Sequence, residues 1–566
     1  MTLLTSFQLF ISLIINESLK LIIVNKVLTL LFVLFLIGCK QEEKEVEFFK
    51  KYDETAELKS QQEHQNPRMK FKLLQSKFLD MNEVFKPFQK ELSTFTEEEY
   101  SKLKPLIIEQ SIPSIQYSIR SGKLSYEKLS LFYLYRIRKF ESDSTKYLNA
   151  IISLNPEVLE NARKKDSIAK TNNIDNASVF GMPILLKDNI NTTGMNTTAG
   201  AEVLTNNNPE DAFIVSKLKE NGALILGKVN LSEWAYYFCS GCPLGYSAVG
   251  GQTLNPYGRK VFETGGSSSG SGVATAANYA IATIGTETAG SITSPSSQNS
   301  VVGLKPTIGL LSRDGIVPIS STLDTPGPMT KNVMDNYILL KALLGKDSND
   351  NKSFALEDDQ QLFKTSDLKD KNIGVLTSLL NDSIYKSTIE KIRNAGANIV
   401  EVSLEQTSLQ GFLTLLNIDM KHDLPGYLKG KNMPVSSVQN VIEYNLKDSI
   451  MRAPYGQQLF EGIVNDTTTI AQLEVVKQNL KNEGLTYFKD FDEKKLDAIL
   501  SINNYHAAYS AVAEYPNLTV PMGYKDSGEP ISLTFIGKPK TEFTLLELGL
   551  AFEKLTQVRK LPKDYE

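Results

Sequence analysis

Two serine-bearing turns stand close together in this chain: GGSSSGSG at Gly265–Gly272 and GTETAGSITSP at Gly285–Pro295. Gly and Ser at that density usually make a flexible joint. Here the first turn runs at once into a small-residue helix, expected over Val273–Ala282, and then into the second turn. Small residues let a helix pack closely, and clustered glycines let backbone N–H groups converge on one point. The pattern therefore fits positioned chemistry better than a linker. A serine hydroxyl becomes a nucleophile only when a base takes its proton. The chain has three histidines, His64, His422 and His506, none in a G-x-S-x-G setting, so a Ser-His-Asp hydrolase lacks an obvious base. Ser-x-x-Lys recurs, as in SKLK at 216–219, without the companion SDN or KTG boxes of β-lactam enzymes. Neither glycine turn carries the Gly-Lys-Ser/Thr of a phosphate loop.

The elements that must hold such turns are readable as apolar runs. FGMPILLKDNI, NGALILGKVNLSEWA, KNIGVLTSLL and NIVEVSL read as buried strands of an α/β sheet. From Ser111 two amphipathic helices follow each other around a Ser-Gly turn, with Ile115, Ile119, Leu129, Tyr133 and Ile137 at helical intervals. The polar segment from Gly345 to Lys371 reads as a surface loop inside one large domain.

The order of these segments resembles the amidase signature family. GGSSSGSG, GTETAGSITSP and VVGLKPTIGLLSRDGIVP look like its signature region, and GMPILLKDNI like its lysine segment. The similarity extends from Ile112 to Pro562. It implies an α/β fold with a large mixed twisted β-sheet covered by helices on both faces. It also implies a Ser-cis-Ser-Lys triad: base Lys187, bridging Ser267 after a cis Gly266–Ser267 peptide, and nucleophile Ser291, 24 residues beyond Ser267. Backbone N–H groups of Thr288, Ala289, Gly290 and Ser291 would form the oxyanion hole. The family often carries Arg where this chain has Thr293. Lys187 follows the apolar run Pro183–Leu186, and burial of that kind lowers a lysine pKa toward neutrality. The variable pocket is expected from Phe238–Tyr246, the NIDMKHDLPGYLKGK segment and the region of Tyr505.

Within the family the motifs are more similar to the bacterial peptide amidase type than to tRNA-dependent amidotransferase A subunits. The implied reaction is hydrolysis of small or peptide C-terminal amides. Two other readings are an amidotransferase A-type subunit and a catalytically idle, amidase-like binding lipoprotein. No metal or cofactor is expected, because no His/Asp/Glu cluster has ligand spacing.

Residues 1–38 have a signal-peptide layout: Lys26, an apolar run from Val27 to Ile37, then Leu36-Ile37-Gly38-Cys39, which resembles a bacterial lipobox with Cys39 as the lipidated residue. A plain N-terminal membrane anchor is the other reading. The expected address is the cell envelope, facing the periplasm or the exterior. Residues 39–105 read as a charged helical extension with a solvated face, and 106–566 as the enzymatic domain. Net charge is -4 with no long basic block, which argues against nucleic-acid binding. Cys239 and Cys242, spaced as CxxC, leave open a disulfide or an unpaired structural role.

Overall fold

The computed structural model describes residues 7–8, 14–17, 19–20, 22, 25–26, 47–356, 367–404 and 407–566. The chain divides into two units, Met1–Phe48 and Phe49–Glu566. In the first, the described residues between 7 and 26 are helical. Among the described residues no helix is long and apolar enough to cross a membrane. Cys39 and the apolar run from Val27 to Ile37 lie outside the described residues.

The second unit is built on a mixed sheet. Its strands, in chain order, are β1 (Ile151–Leu154), β2 (Pro183–Lys187), β3 (Leu224–Val229), β6 (Ala282–Glu287), β7 (Val302–Lys305), β8 (Thr325–Thr330), β9 (Asn372–Leu376), β10 (Asn398–Val402), β11 (Ala498–Ile502), β12 (Asn517–Tyr524) and β13 (Pro530–Ile536). A separate hairpin pairs β4 (Tyr246–Ser247) with β5 (Gly251–Gln252). The sheet order is β1-β3-β2-β6-β8-β7-β12-β13-β11-β9-β10. Parallel pairing is confined to β3-β2-β6 and to β11-β9-β10. Helices cover the sheet on both faces. That is why β2 (PILLK) and β3 (LILGKV) are buried at every residue and open as apolar runs, with Lys187 and Lys228 buried near their ends. At the sheet's edge, β10 (NIVEV) buries only Val402, so the expectation of a fully buried strand there is corrected by its position.

The paired helices form as expected, Ile112–Arg120 and Tyr126–Glu141, each capped by a serine, Ser111 and Ser125. The small-residue helix is displaced from its expected span: it covers Ser269–Ala276, and Ala282 already opens β6. Asn278 explains the early stop. At φ 54° it takes the left-handed conformation, the Tyr279 N–H reaches Ala274 O at 2.8 Å, and the Asn278 N–H reaches Thr275 O at 3.2 Å. That pair of bonds closes a helix end.

Residues 49–105 correct the expectation of a solvated extension. Phe71, Leu74, Phe85, Phe88 and Leu92 are buried in the same core as the sheet. Backbone ties to the body are specific: Leu74 O accepts from Gln252 N and from Asn149 Nδ2, both at 2.9 Å. Phe71 lies in irregular backbone and Phe85 and Phe88 on two short helical turns, so no single period reveals their buried face. Buried Arg136 ties the extension to the body, donating to Ala277 O at 2.8 Å, to the Tyr100 hydroxyl and to Tyr565 O. Cys239 and Cys242 are joined as a disulfide.

Candidate active site

The central strands β2 and β6 run parallel, so their carboxyl ends, Lys187 and Thr286–Glu287, emerge side by side. Loops at the carboxyl ends of parallel strands are where α/β sheets place ligands. Ser267 joins them because the helix Ser269–Ala276 packs against both strands, and its Gly and Ala residues allow that approach. Gly265 holds φ 64°, and a side chain there would strike the Pro295 backbone at 2.7 Å. The Gly266–Ser267 peptide is cis, as the family resemblance implies.

Lys187 and Ser267 are both fully buried. Lys187 Nζ lies 2.7 Å from Ser267 Oγ, 2.8 Å from Thr286 Oγ1 and 3.2 Å from Thr286 O. Burial pulls the lysine pKa down to about 7, against the opposing pull of the Asp324 and Glu287 carboxylates. A neutral amine beside a serine hydroxyl can accept that hydroxyl's proton.

Ser291 sits on the loop after β6, half-buried, and its carbonyl accepts from Ser268 N at 3.1 Å, which ties the two serine turns together. Glu287 shapes this loop. Its carboxylate accepts from Gly290 N and Ile292 N at 2.7 Å each, from Thr293 N at 2.9 Å and from Thr293 Oγ1 at 3.2 Å. Thr293, where the family often has Arg, is thus used inside the loop. The same bonds revise the expected oxyanion donors. Gly290 N–H is committed to Glu287, whereas those of Thr288, Ala289 and Ser291 meet no acceptor among the described residues.

Asp324 is a second, half-buried carboxyl near the lysine. It accepts from Thr288 Oγ1 at 2.5 Å and from Ile319 N and Ser320 N at 2.8 and 2.9 Å. Burial lifts its pKa to about 6 despite these bonds. A cavity of about 450 Å³ opens over this side of the site, reaching Asn189, Thr286, Thr288 and Asp324. Of the segments expected to line it, the one at 417–431 contributes His422, Asp423, Gly426 and Tyr427. Phe238–Tyr246 and Tyr505 do not line this cavity; Phe238, Cys239, Cys242 and Tyr246 face a separate small void instead. Among the described residues no group of three His, Cys, Asp or Glu could hold a metal.

Four residues escape sequence reasoning. Thr286 and Glu287 stand in the quoted motif GTETAGS and Asn189 two places after Lys187, so their positions were visible but their partners were not. Asp324 stands in LDTPGPM at 323–329, one of the motifs similar to the peptide amidase type, and its partners were equally out of view. We expect Glu287→Gln to lower kcat by about 10²-fold with KM little changed. One carboxamide oxygen cannot replace two carboxylate oxygens holding four donors, and small misplacement of a reacting group is costly. Steady-state kinetics on a folded variant checks this.

The family model described as Amidase matches residues 133–500. A protein of Arabidopsis thaliana named a probable amidase is 35% identical over 483 residues, which cover 81% of this chain and 92% of that protein. The crystal structure of an amidase family protein from Bacillus anthracis superposes with a TM-score of 0.81 at 37% identity, covering 87% of this chain and 99% of the other. The native peptide amidase from Stenotrophomonas maltophilia gives 0.75 at 35% identity, covering 80% of this chain and 98% of that one. With a family model matching more than half its length and relatives of 35–37% identity over most of both chains, the chain belongs to the amidase family, enzymes that hydrolyse amide carbon–nitrogen bonds.

Proposed function

We propose that the protein is an exported, lipid-anchored amidase that cleaves small or peptide C-terminal amides through an acyl-enzyme on Ser291. The observation that carries the mechanism is the 2.7 Å approach of a fully buried lysine amine to Ser267 Oγ. Ser291 Oγ attacks the amide carbon as its proton passes to Ser267 Oγ, whose own proton passes to Lys187 Nζ. The carbonyl oxygen, now negative, is met by the uncommitted N–H groups of Thr288, Ala289 and Ser291, and one such donor contributes about 3–4 kcal/mol. The tetrahedral species then collapses. Its C–N bond breaks, the proton returns through the same relay to the departing nitrogen, and ammonia or an amine leaves. Water, deprotonated by the same pair, cleaves the ester and restores Ser291.

The peptide amidase likeness supports small or peptide amides as the substrate class. The apolar run Val27–Ile37 followed by Gly38-Cys39 supports export and lipidation at Cys39. The mechanism needs no metal or cofactor.

The test is an active-site serine probe followed by peptide mapping. Label on Ser291 with parallel loss of ammonia release supports the proposal, and label on another serine overturns the assignment. For the address, the lipoprotein signal-peptidase inhibitor globomycin should accumulate unprocessed precursor, and recovery of the untreated protein in the cytoplasmic fraction overturns export.

A further inference from the structure

The cavity beside Lys187 carries more negative than positive charge, and the imbalance lies at particular groups. Its one guanidinium, Arg313, is consumed: Nε donates to Asp350 Oδ2 at 2.8 Å, and the other nitrogens bond Asp350 Oδ1 and Ser321 O. Asp324 is held by Thr288, Ile319 and Ser320. The lining also holds Asp314, which accepts from Asn349 and from the Gly315 N–H, and Asp423. Asp423 accepts from Ser321 N at 2.6 Å, and among the described residues neither carboxylate forms an ion pair within contact distance. Lys431 acts on Asp314, and Lys477 and Arg313 act on Asp423, from beyond ion-pair distance, and each of these cations also has another partner. Lys477 pairs with Asp419 at 3.2 Å, and Lys431 Nζ lies over the Tyr427 ring, 4.6 Å from its centre. Burial and neighbouring carboxylates, Asp347 beside Asp314 and Asp419 beside Asp423, raise the pKa of both groups.

A second observation lies deeper. Asn189, 2% exposed, donates Nδ2 to Thr286 Oγ1 at 3.0 Å, so its carboxamide is fixed by the residue that also contacts Lys187. Its Oδ1 has no partner, and the residue lines the cavity. A buried acceptor left without a donor is costly. A substrate N–H entering from the cavity would satisfy it.

Resting on the amidase reading, we propose that this cavity selects amides whose acyl part carries a positive charge, with Asp314 and Asp423 holding the cation and Asn189 Oδ1 accepting a substrate N–H. A peptide amide with a lysine or arginine next to the scissile bond has both features. A neutral or acidic counterpart of the same length lacks the first.

The experiment compares N-acetyl-lysinamide, N-acetyl-norleucinamide and N-acetyl-glutamic acid α-amide on the full-length protein, reading released ammonia. Expected kcat/KM for the lysine amide exceeds that for the norleucine amide by about tenfold, equivalent to about 1.4 kcal/mol. The glutamate amide should be slower still, and the lysine preference should shrink with added salt as screening rises. The Asp314→Asn/Asp423→Asn double variant should bring the lysine-to-norleucine ratio to within about twofold of one. Asn189→Leu should raise KM for all three amides about tenfold while keeping their ratio. Equal rates for the three amides, or a preference that survives in the double variant, overturns the inference while leaving the amidase reading intact. If none of the three is hydrolysed, the amidase reading fails at these substrates and calorimetric binding of the same amides decides: tighter binding of the lysine amide supports the inference, and equal or absent binding overturns it.

Discussion

Ser291→Ala is expected to lower amide turnover by about 10⁴-fold or more while leaving the chain folded. Removing the nucleophile deletes the covalent route and leaves only what substrate binding and the oxyanion donors supply. The fold should not notice, because the Ser291 loop is held by Glu287 through Gly290, Ile292 and Thr293, and the Ser268-to-Ser291 bond uses a main-chain oxygen that alanine keeps. Ammonia release, with the melting temperature measured on the same sample, checks it. A folded Ser291→Ala enzyme with near-normal turnover overturns the nucleophile assignment.

Lys187→Met is expected to be comparably severe in turnover and opposite in stability. Ser267 by itself has no pKa suited to accepting a proton near neutrality, so losing the amine disables the relay. Only the neutral amine is a base. With the lysine pKa near 7, kcat/KM of the wild type should rise with pH through about 7 and level off above it. Stability follows from the same shift. The folded-state pKa is depressed below the unfolded value of 10.5, so between about 7 and 10.5 the unfolded chain binds more protons than the folded one. The burial cost is present in full below about pH 7, diminishes as pH rises through this window and is gone near 10.5. It is on the order of a few kcal/mol. Methionine has a similar length and no charge, so Lys187→Met should melt higher than the wild type at pH 6–7, with the gap closing toward pH 10. Thermal melts across pH and a pH–rate profile check both halves. A wild-type kcat/KM that does not change between pH 6 and 9, or a methionine variant that turns over within tenfold of wild type, defeats the assignment of Lys187 as base.

How much of this was legible beforehand differs from element to element. PILLK and LILGKV announce themselves because a strand covered on both faces is apolar along most of its length, leaving Lys187 and Lys228 as the buried exceptions. The two capped helices at Ile112 and Tyr126 were readable for a similar local reason, an apolar stripe at helical spacing. The helix after Ser268 is shorter than the small-residue run predicts because Asn278 in AANYA, a residue type that takes the left-handed conformation at helix ends, stops it. The segment 49–105 hides its burial because Phe71, from irregular backbone, and Phe85 and Phe88, from two short turns, are buried among Lys and Glu, and composition averages them away.

The sequence by itself determined the parts with local causes: which runs are strands, where two Gly-Ser turns fall, and that a lysine ends an apolar strand. Resemblance in motif order then connected Lys187, Ser267 and Ser291. Only the tertiary structure decided what each of these groups touches. Lys187 meets Ser267 and Thr286 because β2 and β6 lie side by side, 80 and 99 residues apart in the chain at those contacts. Gly290 loses its free N–H to Glu287, and the cavity is assembled from Asn189, Asp324 and Asp423, positions that no local period links. Local patterns record which face of an element avoids water. Partners so far apart in sequence are chosen by how the packed sheet and its helices come together, and a period of two or 3.6 residues carries no information about that.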